Sequence, residues 1–74
     1  MQYVVIGQGH WGKGPDIKTA RRNWMRQGAS LSDGGYNIIS FPHDDALMSV
    51  DAWGNINYRG DEPTVVKEVP PTRR

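Results

Sequence analysis

Residues 3–12 read Tyr-Val-Val-Ile-Gly-Gln-Gly-His-Trp-Gly, so a β-branched run feeds Gly7-x-Gly9-x-x-Gly12. That spacing cradles a dinucleotide pyrophosphate when it joins a strand to a helix whose amide-rich start points at the phosphates. The residues that follow argue against this use. Gly12 leads into Lys13-Gly14-Pro15, and proline beside glycine breaks a helix begun at Gly9. The acid that would hold a ribose belongs about 20 residues further on, at the end of a second strand. Asp33 has that spacing but precedes the next β-type segment, while Asp44 and Asp45 follow it and lie too far along. No Gly-Lys-Ser/Thr completes a Walker pattern. Gly7 to Gly14 is therefore read as a mobile strand-to-helix loop, and no cofactor is expected. Phosphate or nucleotide binding there, with Lys13 supplying charge, is the remote alternative.

His10 and His43 are the only histidines, with Asp44, Asp45 and Asp51 as oxygen donors. Two histidines more than thirty residues apart make no ligand-spacing motif, and no metal is expected. Ser40 or Ser49 with His43 and an aspartate would be a hydrolytic set in composition only, because neither serine sits in a nucleophile elbow. The expectation is that the chain is not an enzyme and has no catalytic residues.

Binding residues are easier to find. At 100° per residue, Lys18, Arg22 and Arg26 share one stripe of a helix, flanked by Arg21 and, just before the helix, Lys13. Such a face suits phosphates, with Trp11, His10 or Tyr36 as stacking groups. The ordinary use of the same stripe is as a solvated helix surface, its arginines favouring the macrodipole near the C-terminal end. Trp24 falls on the apolar stripe and is expected in the core. Trp53 sits in a turn and Trp11 in the glycine loop, and tryptophans beside arginines are what protein-interface anchors look like. The partner-binding residues expected are thus Trp11, Lys13, Lys18, Arg21, Arg22, Arg26 and Trp53.

The elements that must position them follow from pattern and punctuation. Gln2 to Ile6 reads as a first strand, apolar enough to be covered on both faces. Asp16 opens a helix running to Gln27 and ended by Gly28, with Ile17, Ala20 and Trp24 on its buried stripe and Met25 at the edge. Tyr36 to Phe41 resumes β composition until Pro42. Ala46 to Arg59 reads as a hairpin turning at Asp51-Ala52-Trp53-Gly54, which pairs Val50 with Ile56 and Met48 with Tyr58. Thr64 to Val69 adds an edge strand protected by Lys67 and Glu68. The class is α+β, in the order β-α-β-β(-β), with one amphipathic helix packed on a mainly antiparallel sheet of three to four strands. Residues 1–69 make a single domain and residues 70–74 a flexible tail.

With 74 residues, such a domain buries roughly 60% of its unfolded surface, which leaves little volume for an enclosed substrate site. There is no cysteine, and the longest apolar stretch, Tyr3 to Ile6, is too short for a secretory or membrane segment. A cytoplasmic location and no membrane partner are expected. The net charge of +1 hides a division. Residues 1–32 carry five bases against Asp16 alone, whereas residues 33–74 carry seven acids against four bases. Charge blocks of this kind bear on association rather than on fold.

Small size, absence of cysteine and lack of a catalytic set resemble, in general character, accessory proteins carried by phages or plasmids, including inhibitors of host defence. The resemblance implies an antagonist acting by occlusion. The function expected is a small non-enzymatic binding module for a protein or ribonucleoprotein partner. The alternative is a nucleic-acid-binding domain using Lys18, Arg22 and Arg26.

Overall fold

The glycine-rich stretch after Ile6 folds as a β-hairpin, not as a loop. In the computed structural model, which describes residues 1–72, β1 (Gln2–Gly7) turns directly into β2 (His10–Gly14). The two pair antiparallel from Tyr3↔Gly14 to Gly7↔His10. Gln8 and Gly9 form the turn with φ of 57° and 74°. Positive φ at both positions is the type I′ geometry, whose twist matches that of the flanking strands. Gln8 carries a side chain at an angle that costs a non-glycine residue about 1–2 kcal/mol. Its amide group offsets this by bonding the loop after the helix. Nε2 donates to the Ser30 and Gly34 carbonyls (2.7 and 2.6 Å), and Oε1 accepts from the Ser30 amide at 2.9 Å.

The other glycines serve close approach. A Cβ on Gly12 would lie 2.2 Å from the Trp24 amide nitrogen, and one on Gly14 would lie 2.8 Å from that of Ala20. Helix α1 (Ile17–Met25) rests on β2 and β1 through these two bare positions. As the sequence predicts, Asp16 caps the helix by accepting from the Thr19 amide at 2.7 Å. Ala20 and Trp24 are fully buried. The last turn tightens, with Gln27 and Gly28 amides bonding the Trp24 and Met25 carbonyls, and Gly28 ends it at φ 108°.

After a short 3₁₀ turn at Leu31–Asp33, β3 (Tyr36–Phe41) returns beside β1, and β6 (Thr64–Val69) lies outside β3. The four-stranded sheet has the order β2-β1-β3-β6 and is antiparallel throughout. The domain is α+β, with one helix on an antiparallel sheet of four strands and a separate two-stranded sheet formed by β4 (Leu47–Val50) and β5 (Ile56–Tyr58). Relative to the sequence reading, one strand is added before the helix.

Alternation along β1 and β3 assigns two cores. Val5 and Ile38 face Ala20, Trp24 and Tyr36 on one side, where the Trp24 and Tyr36 rings lie 4.7 Å apart. Val4, Ile39 and Phe41 face Ala46 and Leu47 on the other, with Tyr58 5.9 Å from Phe41. The sheet is thus the middle of three layers, between α1 and the β4–β5 hairpin, so β1 is covered on both faces as expected.

The hairpin turns where expected and pairs Val50 with Ile56. Its far end differs. Tyr58 pairs with Leu47, because a register shift between Leu47 and Ser49 makes Met48 an extra, unpaired residue. The bulge puts Leu47 into the core and leaves Met48 63% exposed. Residues beyond β6 reach back to the 3₁₀ turn, where Thr72 bonds the Asp33 and Ser32 carbonyls at 2.9 and 2.8 Å. Arg73 and Arg74 of the expected tail lie outside the described residues. No helix among the described residues is long and apolar enough to cross a membrane.

Candidate functional site

The two outer layers differ in their prevailing charge. The helix layer presents Lys18, Arg22 and Arg26, all exposed, and the half-buried Arg21. The hairpin segment, residues 42–63, carries five acids against Arg59 alone. The ion pairs among the described residues are Arg59 with Asp45, at 2.5 Å, and the Met1 amino group with Asp44, at 3.2 Å. The helix cations therefore have no carboxylate partner among the described residues. Arg21 Nε is buried there without a hydrogen-bond acceptor.

The seven expected binding residues consequently do not form one surface. Lys18, Arg21, Arg22 and Arg26 lie on the helix layer. Trp11 is not in a loop but on β2, in register with Ile6 on the opposite face. It is half-buried against the core cluster that Val50 and Ile56 also flank. Lys13 is on β2 too, exposed, and its carbonyl accepts from Asn23 Nδ2 at 2.7 Å. Trp53 stands at the tip of the β4–β5 hairpin and is 86% exposed.

That tip is held firmly. Asp51 Oδ1 accepts from the amides of Trp53 and Asn55 at 2.9 and 2.8 Å, and Oδ2 accepts from Asn55 Nδ2 at 3.1 Å. The Gly54 amide closes the type I turn on the Asp51 carbonyl at 3.1 Å, and Gly54 follows with φ 82°. The amide bond from Asn55 is the main reason the Asp51 carboxyl sits below its ordinary value, with further help from the Asn55 side chain and the Trp53 amide. Asp16 is lowered similarly by the Thr19 amide.

The two hairpin tips meet. Between Gly7–Trp11 of the first and Val50–Gly54 of the second lies a cleft of about 190 Å³, with both Trp11 and Trp53 among its walls. A shallower groove of about 520 Å³ continues from Ile6, Gly7 and Gly54 across Asn37 to Glu68 and Pro71. Sequence reasoning missed Ile6, Asn37 and Glu68 because each looks ordinary in its own strand. Only the pairing of β1 with β3 and β3 with β6 puts them side by side.

His10 opens β2 and His43 lies between β3 and β4, and no three His, Asp or Glu side chains converge among the described residues. Gly7-x-Gly9-x-x-Gly12 spans a strand, a tight turn and a second strand. The helix start that would face a pyrophosphate lies beyond Pro15, so the glycine loop proposed as a remote phosphate cradle does not exist in that form. No known protein family, curated protein or solved structure matches the chain.

Proposed function

We propose that the chain is a small non-enzymatic binding module that docks on a protein or ribonucleoprotein partner through the surface around Trp53. The observation that carries this reading is the pairing of near-full exposure of the indole with a turn braced by Asp51. A large apolar ring presented to water from a braced turn is unfavourable for the free protein and is the usual form of an interface hot spot. Because the tip is already ordered, little conformational entropy is lost on docking. A module of this size acts by covering a surface of its partner. The general likeness to phage and plasmid accessory proteins makes a host factor the natural target.

Affinity capture with the folded wild-type chain tests the reading. A partner retained by wild type and lost with Trp53→Ala, in a variant of unchanged melting temperature, supports it. Equal retention by both overturns it.

A second reading rests on the other layer. Lys18, Arg21, Arg22 and Arg26 lack carboxylate partners among the described residues and would meet a nucleic-acid backbone. Electrophoretic shifts with single- and double-stranded DNA and RNA test it. Binding that falls steeply with salt and with Arg22→Ala, while tolerating Trp53→Ala, supports the nucleic-acid reading.

A further inference from the structure

Four residues from four strands form one cross-strand row on the hairpin side of the sheet. Trp11 pairs with Ile6, Ile6 with Asn37, and Asn37 with Glu68. Directly opposed residues in antiparallel strands point to the same face, so this row is the floor beneath the β4–β5 tip. The 190 Å³ cleft lies at its Trp11 end and the 520 Å³ groove at its Glu68 end, joined at Ile6, Gly7 and Gly54. One trough therefore crosses all four strands at the end of the sheet where the hairpin tips meet.

Its chemistry changes along its length. Trp11 and Trp53 make one end aromatic, and Ile6 continues the apolar floor. Asn37 is exposed and makes no side-chain hydrogen bond among the described residues, leaving an amide donor and an acceptor for another backbone. Glu68 is exposed with no cationic partner among the described residues. The nearby Asp51 carboxylate is already used by the turn. This anionic end, on the sheet face turned toward the acidic hairpin segment, favours a cation and repels a polyphosphate backbone.

We propose that this trough binds an extended, basic peptide segment of the partner protein, with an apolar side chain between Trp11 and Trp53 and a Lys or Arg on Glu68. The span supplies the spacing. Three strand separations measure about 14 Å, and four residues of extended chain about 13 Å. Residues four apart in an extended chain also point to the same side, so both anchors enter the trough together. The proposal deepens the protein-partner reading by naming the chemistry that the Trp53 surface recognises.

The test uses the intact chain with two blocked pentapeptides, Leu-Ser-Thr-Ser-Arg and Leu-Ser-Thr-Ser-Glu, followed by backbone amide shifts and by tryptophan emission. Saturable shifts at Ile6, Asn37 and Glu68 are expected, with the Glu-ended peptide weaker by about tenfold. Glu68→Lys reverses that order, and Asn37→Ala weakens both peptides if the first variant folds poorly. The proposal is overturned if the Arg peptide does not saturate, if the two peptides bind equally, or if Glu68→Lys leaves their order unchanged. Self-association that Glu68→Lys abolishes, without peptide binding, also overturns it and makes a second copy the occupant. Capture of a partner that is lost with Trp53→Ala but kept with Glu68→Lys leaves the binding-module reading intact and removes the trough.

Discussion

Trp24 Nε1 donates a 3.0 Å hydrogen bond to the Gly7 carbonyl, so one buried indole ties α1 to the turn end of β1. The same ring packs against Tyr36 and is fully buried. Replacing it with phenylalanine keeps most of the apolar contact but leaves the Gly7 carbonyl without this donor. Trp24→Phe is expected to cost about 1–3 kcal/mol and Trp24→Ala about 3–5 kcal/mol, read from urea unfolding midpoints at constant m-value. A Trp24→Phe variant as stable as the wild type would show that the hydrogen bond contributes nothing.

Gly9 and Gly12 belong to one glycine motif and should fail for different reasons. At Gly9 a methyl group meets nothing within 4 Å, and only φ 74° opposes it. Gly9→Ala should cost about 1–2 kcal/mol. At Gly12 the methyl group meets helix backbone, which has no rotamer to yield, and Gly12→Ala should cost about 3 kcal/mol. Thermal unfolding of both variants checks the order.

The β4 bulge reverses the roles of two neighbouring apolar residues. Leu47 is buried and Met48 exposed, so Leu47→Ala should lose about 2–5 kcal/mol and Met48→Ala less than about 0.5 kcal/mol. The unshifted register, which pairs Met48 with Tyr58, requires the opposite ranking.

Asp51 links acidity to the binding tip. Its hydrogen bonds hold the folded-state pKa below the ordinary 3.8, so the unfolded chain takes up the proton more readily. The stability it contributes is complete above the unfolded value and disappears as pH falls through the lower, folded one. Asp16 acts with the same sign at the helix cap. Acid unfolding should therefore be shallower in Asp51→Ala and shallower still when Asp16→Ala is added. Amide shifts at Trp53 and Asn55 should report loosening of the tip in Asp51→Ala at neutral pH.

Local chemistry made much of the fold legible. Asp16 and Gly28 punctuate the helix, Pro42 stops β3, and Asp51 with Gly54 turns the last hairpin, each through bonds or angles confined to a few residues. β2 was not legible, because His10-Trp11-Gly12-Lys13-Gly14 has no β-branched residue and two glycines that read as loop. Those glycines are present because a helix lies on them, which is a tertiary contact. Met48 escaped for a similar reason, since a bulge answers to what the hairpin must bury.

The candidate surface divides along the same line. Sequence alone determined that basic and acidic residues occupy different segments, that Trp24 belongs inside, and that Trp53 sits in a turn. Only tertiary structure placed the two charges on opposite layers, separated Trp53 from the helix cations, and set Trp11, Ile6, Asn37 and Glu68 in one row. Charge and periodicity are properties of a segment, whereas a row is made by hydrogen bonds between strands distant in sequence. Shifting one pairing by a single residue would turn its side chains to the other face and dissolve the row.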